Sequence, residues 1–469
     1  VLLIVKIKPL RLLAAAIAAV AFAVLPLRLN DAAFTVPIAI ADDDDGDDGG
    51  EGGGSNGGGD GNGSNGYHRG GNALRDLRSL FRWPSRERRA AVRRPAAVPE
   101  HVENELVTVG LGEDALAGLI QEGFTVNSRA RISLIDEEMV RLIVPRGMTL
   151  EAARAAVAVR DTTATVDLNH FYQPESDNKS GCAGKGCTLV REIVGWPKGD
   201  TAGCVKPHRI GLIDTAINAD HVSLANSRLE VIHLDEGEGK GSGAQHGTAV
   251  AALLVGGSDS RVPGLLPGAE LIAVDAFKRT EGSTDIASIY DLVRALDLLV
   301  QRDVRVINLS LTGPANAVLE TTVKAAAGRG VILVAAAGND GPNAKPVYPA
   351  AYDDTIAVTA VDKGRNPYRR AVRGDYIDIA APGVGVWTAA SITGARQKTG
   401  TSFAAPFVTA AVSVLIANNP GMSLEGLEAK IRQFTDDIGE PGRDRVFGWG
   451  LLNARRLCDG ENENKPSTL

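Results

Sequence analysis

The sequence predicts an α/β protein: a doubly wound, mostly parallel sheet with helices on both faces, preceded by a small α+β unit. Two patterns and one argument from size point there. Beyond residue 208, short continuous apolar runs alternate with helical stretches, which is how strands buried on both faces read. Upstream, from residue 103 to 172, the order is β-α-β-β-α-β, the split arrangement of a two-layer domain. At 469 residues, 44% of them apolar, the chain can bury a large core but exceeds one ordinary domain.

Taken in order, residues 1–41 carry Lys6, Lys8 and Arg11 and then an apolar stretch from Leu12 to Leu27, which reads as an export signal. Ala39-Ile40-Ala41 supplies a small-x-small cleavage site. A retained membrane anchor is the alternative, although the stretch is shorter than the ~20 residues a spanning helix needs. Residues 42–102 read as linker. The Asp/Gly run at 42–66 has almost no apolar side chains to offset ordering entropy, and it lacks the fixed period of calcium-binding nonapeptides. The arginine-rich stretch that follows, with Leu77, Leu80, Phe81 and Trp83, is either a solvated basic linker or a contact for a membrane surface or acidic partner. A formal charge of −7 gives no support for a nucleic-acid binder.

The unit at 103–172 begins with a strand "ELVTVG" and a helix "EDALAGLIQEGF". Two strands around "ARISLI" and "MVRLIVP" follow, then a helix "TLEAARAAVAV" and a last strand "TATVDL". The third region, 173–460, opens on a loop-like stretch holding Cys182, Cys187 and Cys204, and a 461–469 tail closes the chain. With Cys458 these make four cysteines, which fit an oxidising compartment and two disulfides in any of three pairings. A zinc site competes weakly, since Cys182 and Cys187 have no nearby second pair. The strands expected next are "RIGLI", "LIAV", "VRVINLS", "VILVAAA" and "TIAVTAV", with a helix from Asp285 to Arg302 carrying Ile286, Ile289, Val293, Leu296 and Val300 at helical spacing.

Ligands on such sheets sit at the carboxyl ends of the strands, so the polar residues there matter most. Asp214 ends "RIGLID", where it could orient an imidazole or merely cap a turn. His246 opens the apolar helix "QHGTAVAALLVG", a setting the other six histidines lack. Asn339 lies in the Gly-Asn-Asp-Gly turn after "VILVAAA", where its amide could serve an oxyanion or be an ordinary turn residue. Ser402 begins "SFAAPFVTAAVSVLIANN", with Pro406 tolerated only in the first turn and alanines that let the helix cross a crowded centre.

Each residue alone has a structural explanation; their order, Asp, His, Asn, Ser, does not. The stretches "LIDTAIN", "QHGTAVA", "VINLSLTGP", "AAAGNDGP", "YPAAYDDTIAVTAVD", "IAAPG" and "GTSFAAPFVTAAVSVL" resemble the subtilisin family of serine proteases over residues 208–457. The resemblance implies Ser402 as nucleophile, His246 as general base and then acid, Asp214 as orienting carboxylate, and Asn339 as oxyanion donor beside the Ser402 backbone N–H. It implies a substrate strand at Ser310, Leu311 and Thr312, continued by Gly313 and faced by Ala337 and Gly338. Thr312 and Val347 both stand where relatives usually carry glycine, which narrows the primary specificity pocket.

By the same resemblance residues 103–172 are an inhibitory propeptide whose tail, "DLNHFYQP", lies in the cleft. Cleavage after Tyr172 would need a pocket that admits an aromatic ring, in conflict with the bulk of Val347. The expectation is therefore an exported serine endopeptidase, periplasmic, extracellular or at the cell surface, made as a self-processing zymogen. Protein or peptide substrates and its own propeptide are the partners, with membrane contact open through the N-terminal segment. It needs no cofactor or metal for catalysis, and structural calcium is left open because no ligand cluster is legible. An esterase is disfavoured, since Ser402 sits in "GTSFA" rather than a Gly-x-Ser-x-Gly elbow. An inactive protease-like binding or scaffold protein is the alternative from another class.

Overall fold

The computed structural model describes residues 98–175, 189–197, 209–234 and 240–458. The proposed signal, most of the proposed linker, Cys182, Cys187, Cys204 and the C-terminal tail lie outside the described residues.

The N-terminal part contributes four antiparallel strands, in the order Thr125–Ile132, Glu137–Ile143, His101–Val109, Thr165–Pro174, to an eight-stranded sheet that continues onto Asp285–Ser288 and Leu311–Thr312. Its helices are Glu113–Gln121 and Leu150–Arg160. The second helix starts where Thr149 accepts a hydrogen bond from the Ala152 N–H at 3.2 Å. Strand alternation sorts the side chains by face: Leu106, Val140 and Leu142 pack under these two helices with Leu116, Leu119 and Val157. Val107, Val109 and Met139 point the other way, onto the helix Ile289–Gln301.

Several boundaries differ from expectation: the first strand begins at His101 and not Glu105, and the last runs on to Pro174 where it was expected to end at Leu168. The strand expected at "ARISLI" spans Thr125–Ile132, and Ser133–Asp136 is a turn with Asp136 at φ 55°. Asp tolerates that left-handed conformation better than the apolar residues beside it. The helix expected from Asp285 begins at Ile289. Asp285–Ser288 is a strand, because Ala287 and Ser288 pair with Tyr172 and Phe171. Ser288 then caps the helix, accepting from the Asp291 N–H at 3.2 Å.

The larger sheet has nine strands among the described residues. Their order is Thr435–Asp436, Leu451–Leu452, Ile379–Pro382, Thr355–Val361, Ile332–Ala336, Val306–Leu309, Ile210–Asp214, Glu270–Asp275 and Arg228–His233. All neighbours run parallel except the pair at the Thr435 edge. Helices Ala244–Val255 and Ala405–Asn418 cover one face, and Ile289–Gln301 and Ala317–Gly328 the other. The 401–418 segment is long and apolar enough to cross a membrane, but 89% of it is buried in the core. Register aligns Leu309 with Ile213 on one side and Ala335 on the other, so the residues that follow these three strands emerge together at one edge.

Candidate active site

Asp214 is the last residue of its strand and is 2% exposed. Its Oδ1 accepts hydrogen bonds from the Thr215 N–H at 2.7 Å and from His246 Nδ1 at 2.7 Å. A carboxylate oxygen accepts, so the imidazole proton sits on Nδ1 and the neutral ring keeps a lone pair on Nε2. His246 is buried in the first turn of Ala244–Val255. That helix approaches closely because its next residue is Gly247: an added Cβ would lie 2.2 Å from the Thr215 carbonyl oxygen. Thr215 Oγ1 accepts from the Gly247 N–H at 3.0 Å, tying the acid's neighbour to the base's neighbour.

Ser402 is fully buried in a single 3₁₀ turn, Thr401–Phe403, that leads into Ala405–Asn418. Its hydroxyl donates to the Ser310 carbonyl at 3.2 Å, and the Ser310 hydroxyl donates to the Ser402 carbonyl at 2.9 Å. Ser310 Oγ is itself held by Asn308 Nδ2 at 2.8 Å, and Asn308 Oδ1 by Thr409 Oγ1 at 2.9 Å. The next ring along the chain, Phe403, lies 5.5 Å from the His246 ring, centroid to centroid. His246 Nε2 makes no hydrogen bond among the described residues. The turn that carries Ser402 thus packs against the imidazole through Phe403, with the serine hydroxyl turned onto Ser310.

Asn339 follows the strand Ile332–Ala336 and is 4% exposed. Its Oδ1 accepts from both the Thr401 N–H at 3.0 Å and Thr401 Oγ1 at 3.2 Å, which fixes the flip of the amide and leaves Nδ2 aimed into the site. Gly338, at φ +98°, donates its N–H to Thr401 Oγ1 at 3.1 Å. Thr401 was not singled out in the sequence, although it stands in the quoted "GTSFA".

The expected substrate strand is occupied by the chain's own segment. Leu311 pairs with Pro174 and Thr312 with Gln173, antiparallel, while Tyr172 and Phe171 pair with Ala287 and Ser288 on the other side. The Tyr172 ring is fully buried against Gly313, where an added Cβ would lie 2.5 Å from it, and its hydroxyl donates to the Pro314 carbonyl. Gly313 also exchanges backbone hydrogen bonds with Tyr348 at 2.9 and 3.0 Å. The Ala337 carbonyl accepts from the Tyr376 hydroxyl at 3.0 Å. Glu175, beyond the expected tail, enters the site: its N–H donates to the Ser310 carbonyl at 3.4 Å, and Thr312 Oγ1 donates to its Oε1 at 2.5 Å. Burial pushes the Glu175 carboxyl above its ordinary range; Thr312 opposes this, Asp340 adds to it, and the Asn339 amide opposes it without reaching hydrogen-bond geometry.

Among the described residues, no group of three or more His, Cys, Asp or Glu is placed to hold a metal. Cys458 is disulfide-bonded.

The profile of the subtilase family matches residues 206–450. Minor extracellular protease Epr of Bacillus subtilis is 31% identical over 261 residues, 55% of this chain and 39% of that protein. Subtilisin Savinase of Lederbergia lenta is 31% identical over 271 residues, 57% of this chain and 96% of that protein. The crystal structure of fervidolysin from Fervidobacterium pennivorans, a keratinolytic enzyme related to subtilisin, superposes with a TM-score of 0.63 at 18% identity. It covers 79% of this chain and 62% of that one, and at that identity the likeness speaks for the fold.

Proposed function

The chain belongs to the subtilase family, and from that premise we propose that it is a serine endopeptidase made as a zymogen, with Ser402, His246, Asp214 and Asn339 as its working groups. The observation that carries this is the buried Asp214–His246 hydrogen bond of 2.7 Å beside Ser402, with the Asn339 amide donor free.

The chemistry follows from those atoms. A serine hydroxyl is a weak nucleophile until a base takes its proton. For this step Ser402 Oγ must exchange the Ser310 carbonyl for His246 Nε2, the lone-pair nitrogen, by rotation about χ1. As Oγ adds to the substrate carbonyl carbon, the proton passes to Nε2, and Asp214 holds the resulting imidazolium in place. The carbonyl oxygen gains negative charge and receives Asn339 Nδ2 and the Ser402 N–H. His246 then gives the proton to the leaving amine, and water repeats the sequence on the acyl-serine ester.

Residues 165–175 act as the inhibitory tail, since they fill the strand-shaped cleft that an extended peptide would use. Export is supported by the Cys458 disulfide, which persists in oxidising compartments. With every expected polar group present, nothing favours an inactive scaffold.

Labelling with a fluorophosphonate probe tests the reading. The processed protein should be tagged at Ser402 and should hydrolyse casein, and Ser402→Ala should do neither. A wild-type chain that stays unlabelled would refute it.

A further inference from the structure

Tyr172 and Glu175 both reach into the cleft, but only one can precede the bond that is cut, and the backbone pairing decides which. The Glu175 N–H and Ser402 Oγ share one acceptor, the Ser310 carbonyl, at 3.4 and 3.2 Å, so they are no more than 6.6 Å apart. Tyr172 lies three residues upstream, clasped between Ala287 and Gly313 with its hydroxyl on Pro314. An extended chain advances about 3.3 Å per residue, which puts the Tyr172 carbonyl roughly 10 Å further back along the strand. The aromatic ring therefore belongs to a distant subsite, and the conflict between an aromatic residue and the bulk of Val347 disappears.

The side chain beside the nucleophile is a glutamate, and its contacts are specific. Thr312 Oγ1 donates to its carboxyl group at 2.5 Å. Across the cleft, Gly338 is closed behind by Val347 and Val372, whose methyl groups would stand 2.8 and 3.1 Å from an added Cβ. The two valines therefore crowd the Gly338 backbone on that side. The glutamate takes its side-chain hydrogen bond from Thr312, while the Asp340 carboxylate works against its charge and the Asn339 amide and His246 imidazole favour it.

Resting on the peptidase reading above, we propose that the bond on the carboxyl side of Glu175 is the one this chain cuts in itself. Thr312 then makes the mature enzyme prefer substrates whose cleaved residue is glutamate or its isostere glutamine. Ser402 Oγ adds to the Glu175 carbonyl carbon while its proton moves to His246 Nε2. The C–N bond to residue 176 breaks, and the departing amine takes that proton. Water then splits the Glu175–Ser402 ester, restoring the hydroxyl and freeing the Glu175 carboxyl group. Donation from Thr312 serves both side chains because each ends in an acceptor oxygen.

Two measurements on the full-length chain test this. N-terminal sequencing of the processed protein should begin at Ser176. Profiling of that protein on peptides varied only at the cleaved residue should give kcat/KM for glutamate or glutamine at least fivefold above phenylalanine. Thr312→Val should shrink the glutamate-to-leucine ratio by about tenfold, and Glu175→Lys should slow processing while Glu175→Gln restores it. A terminus elsewhere, or a dominant preference for aromatic residues, in a protein that still labels at Ser402 and cleaves casein would overturn this proposal alone. An unprocessed, unlabelled chain would overturn both readings.

Discussion

At the scale of single residues, Asn339 and Thr401 form a unit in which one side chain aims the other. Both hydrogen bonds to Asn339 Oδ1 come from Thr401, and they leave Nδ2 as the only part of the amide free to meet developing charge. Removing the donor with Asn339→Ala should lower kcat by about 10²–10³ with KM nearly unchanged, the scale known for the oxyanion asparagine of a subtilisin. Thr401→Val keeps the backbone bond and loses the hydroxyl, so Thr401 is a positioning residue. Its kcat should fall by about tenfold, again without a matching change in KM, because the amide is loosened rather than lost. A rise in KM alone would show that these residues bind substrate and do not stabilise the transition state. The four polar groups were legible in the sequence because each sits in a distinctive short stretch. Thr401 was not, since a threonine before a serine carries no sign of which amide it holds. Glu175 was missed because its contacts come from residues 135 or more positions away.

At the scale of elements, the strand Ala395–Lys398 and the turn after it bring Ser402 to the site, and Lys398 ends that strand with its side chain buried. Burial pulls the Lys398 ammonium down to about 8, with Arg396 adding to the fall. A depressed folded-state value means the unfolded chain holds the proton more tightly. The stability that neutral lysine permits is therefore fully present only above the unfolded value of 10.5 and is lost as pH falls through about 8. Lys398→Met should accordingly stabilise the protein at pH 7 by on the order of 1–2 kcal/mol, after discounting for solvent screening. The gain should shrink towards nothing above pH 10. Thermal unfolding of Ser402→Ala and Ser402→Ala/Lys398→Met at both pH values checks this, and an equal shift at each would remove the titration argument. The same scale shows which elements a sequence can reveal. The central strands were legible because both faces are buried, which leaves an uninterrupted apolar run. Thr125–Ile132 was placed too late because its alternating charged and polar residues show only one half-buried face, and Asp285–Ser288 because its strand character depends on Tyr172 and Phe171.

At the scale of the whole molecule, the two parts are joined by more than the tail. Asp167 Oδ2 accepts from the Ala317 N–H at 2.9 Å, and Asn169 Oδ1 from the Tyr290 N–H at 3.3 Å, so one strand caps two helices of the larger part. Asn316 Nδ2 returns a bond to the Leu168 carbonyl at 2.9 Å, and Asp297 Oδ1 accepts from the Leu134 N–H at 2.6 Å. Helix N-termini carry unpaired N–H groups and a positive dipole end, so a carboxylate there stabilises the contact. These bonds run between the two parts, and on the proposed zymogen reading they would be lost when the N-terminal part leaves. A cap of this kind is worth about 1 kcal/mol, more when charged and partly buried. Asp167→Ala should therefore speed release by about five- to tenfold without moving the cleavage site, because the pairing of residues 171–174 is untouched. The measurable sign is a shorter lag between the appearance of the new N-terminus and the onset of casein hydrolysis. Adding Asn169→Ala should shorten it further, since the two helix ends are separate contacts, although Asn169 also binds Glu105 and its loss disturbs the N-terminal sheet. An unchanged lag in both variants would mean that the strand-like tail alone holds the precursor together, and that the helix caps serve only to assemble it.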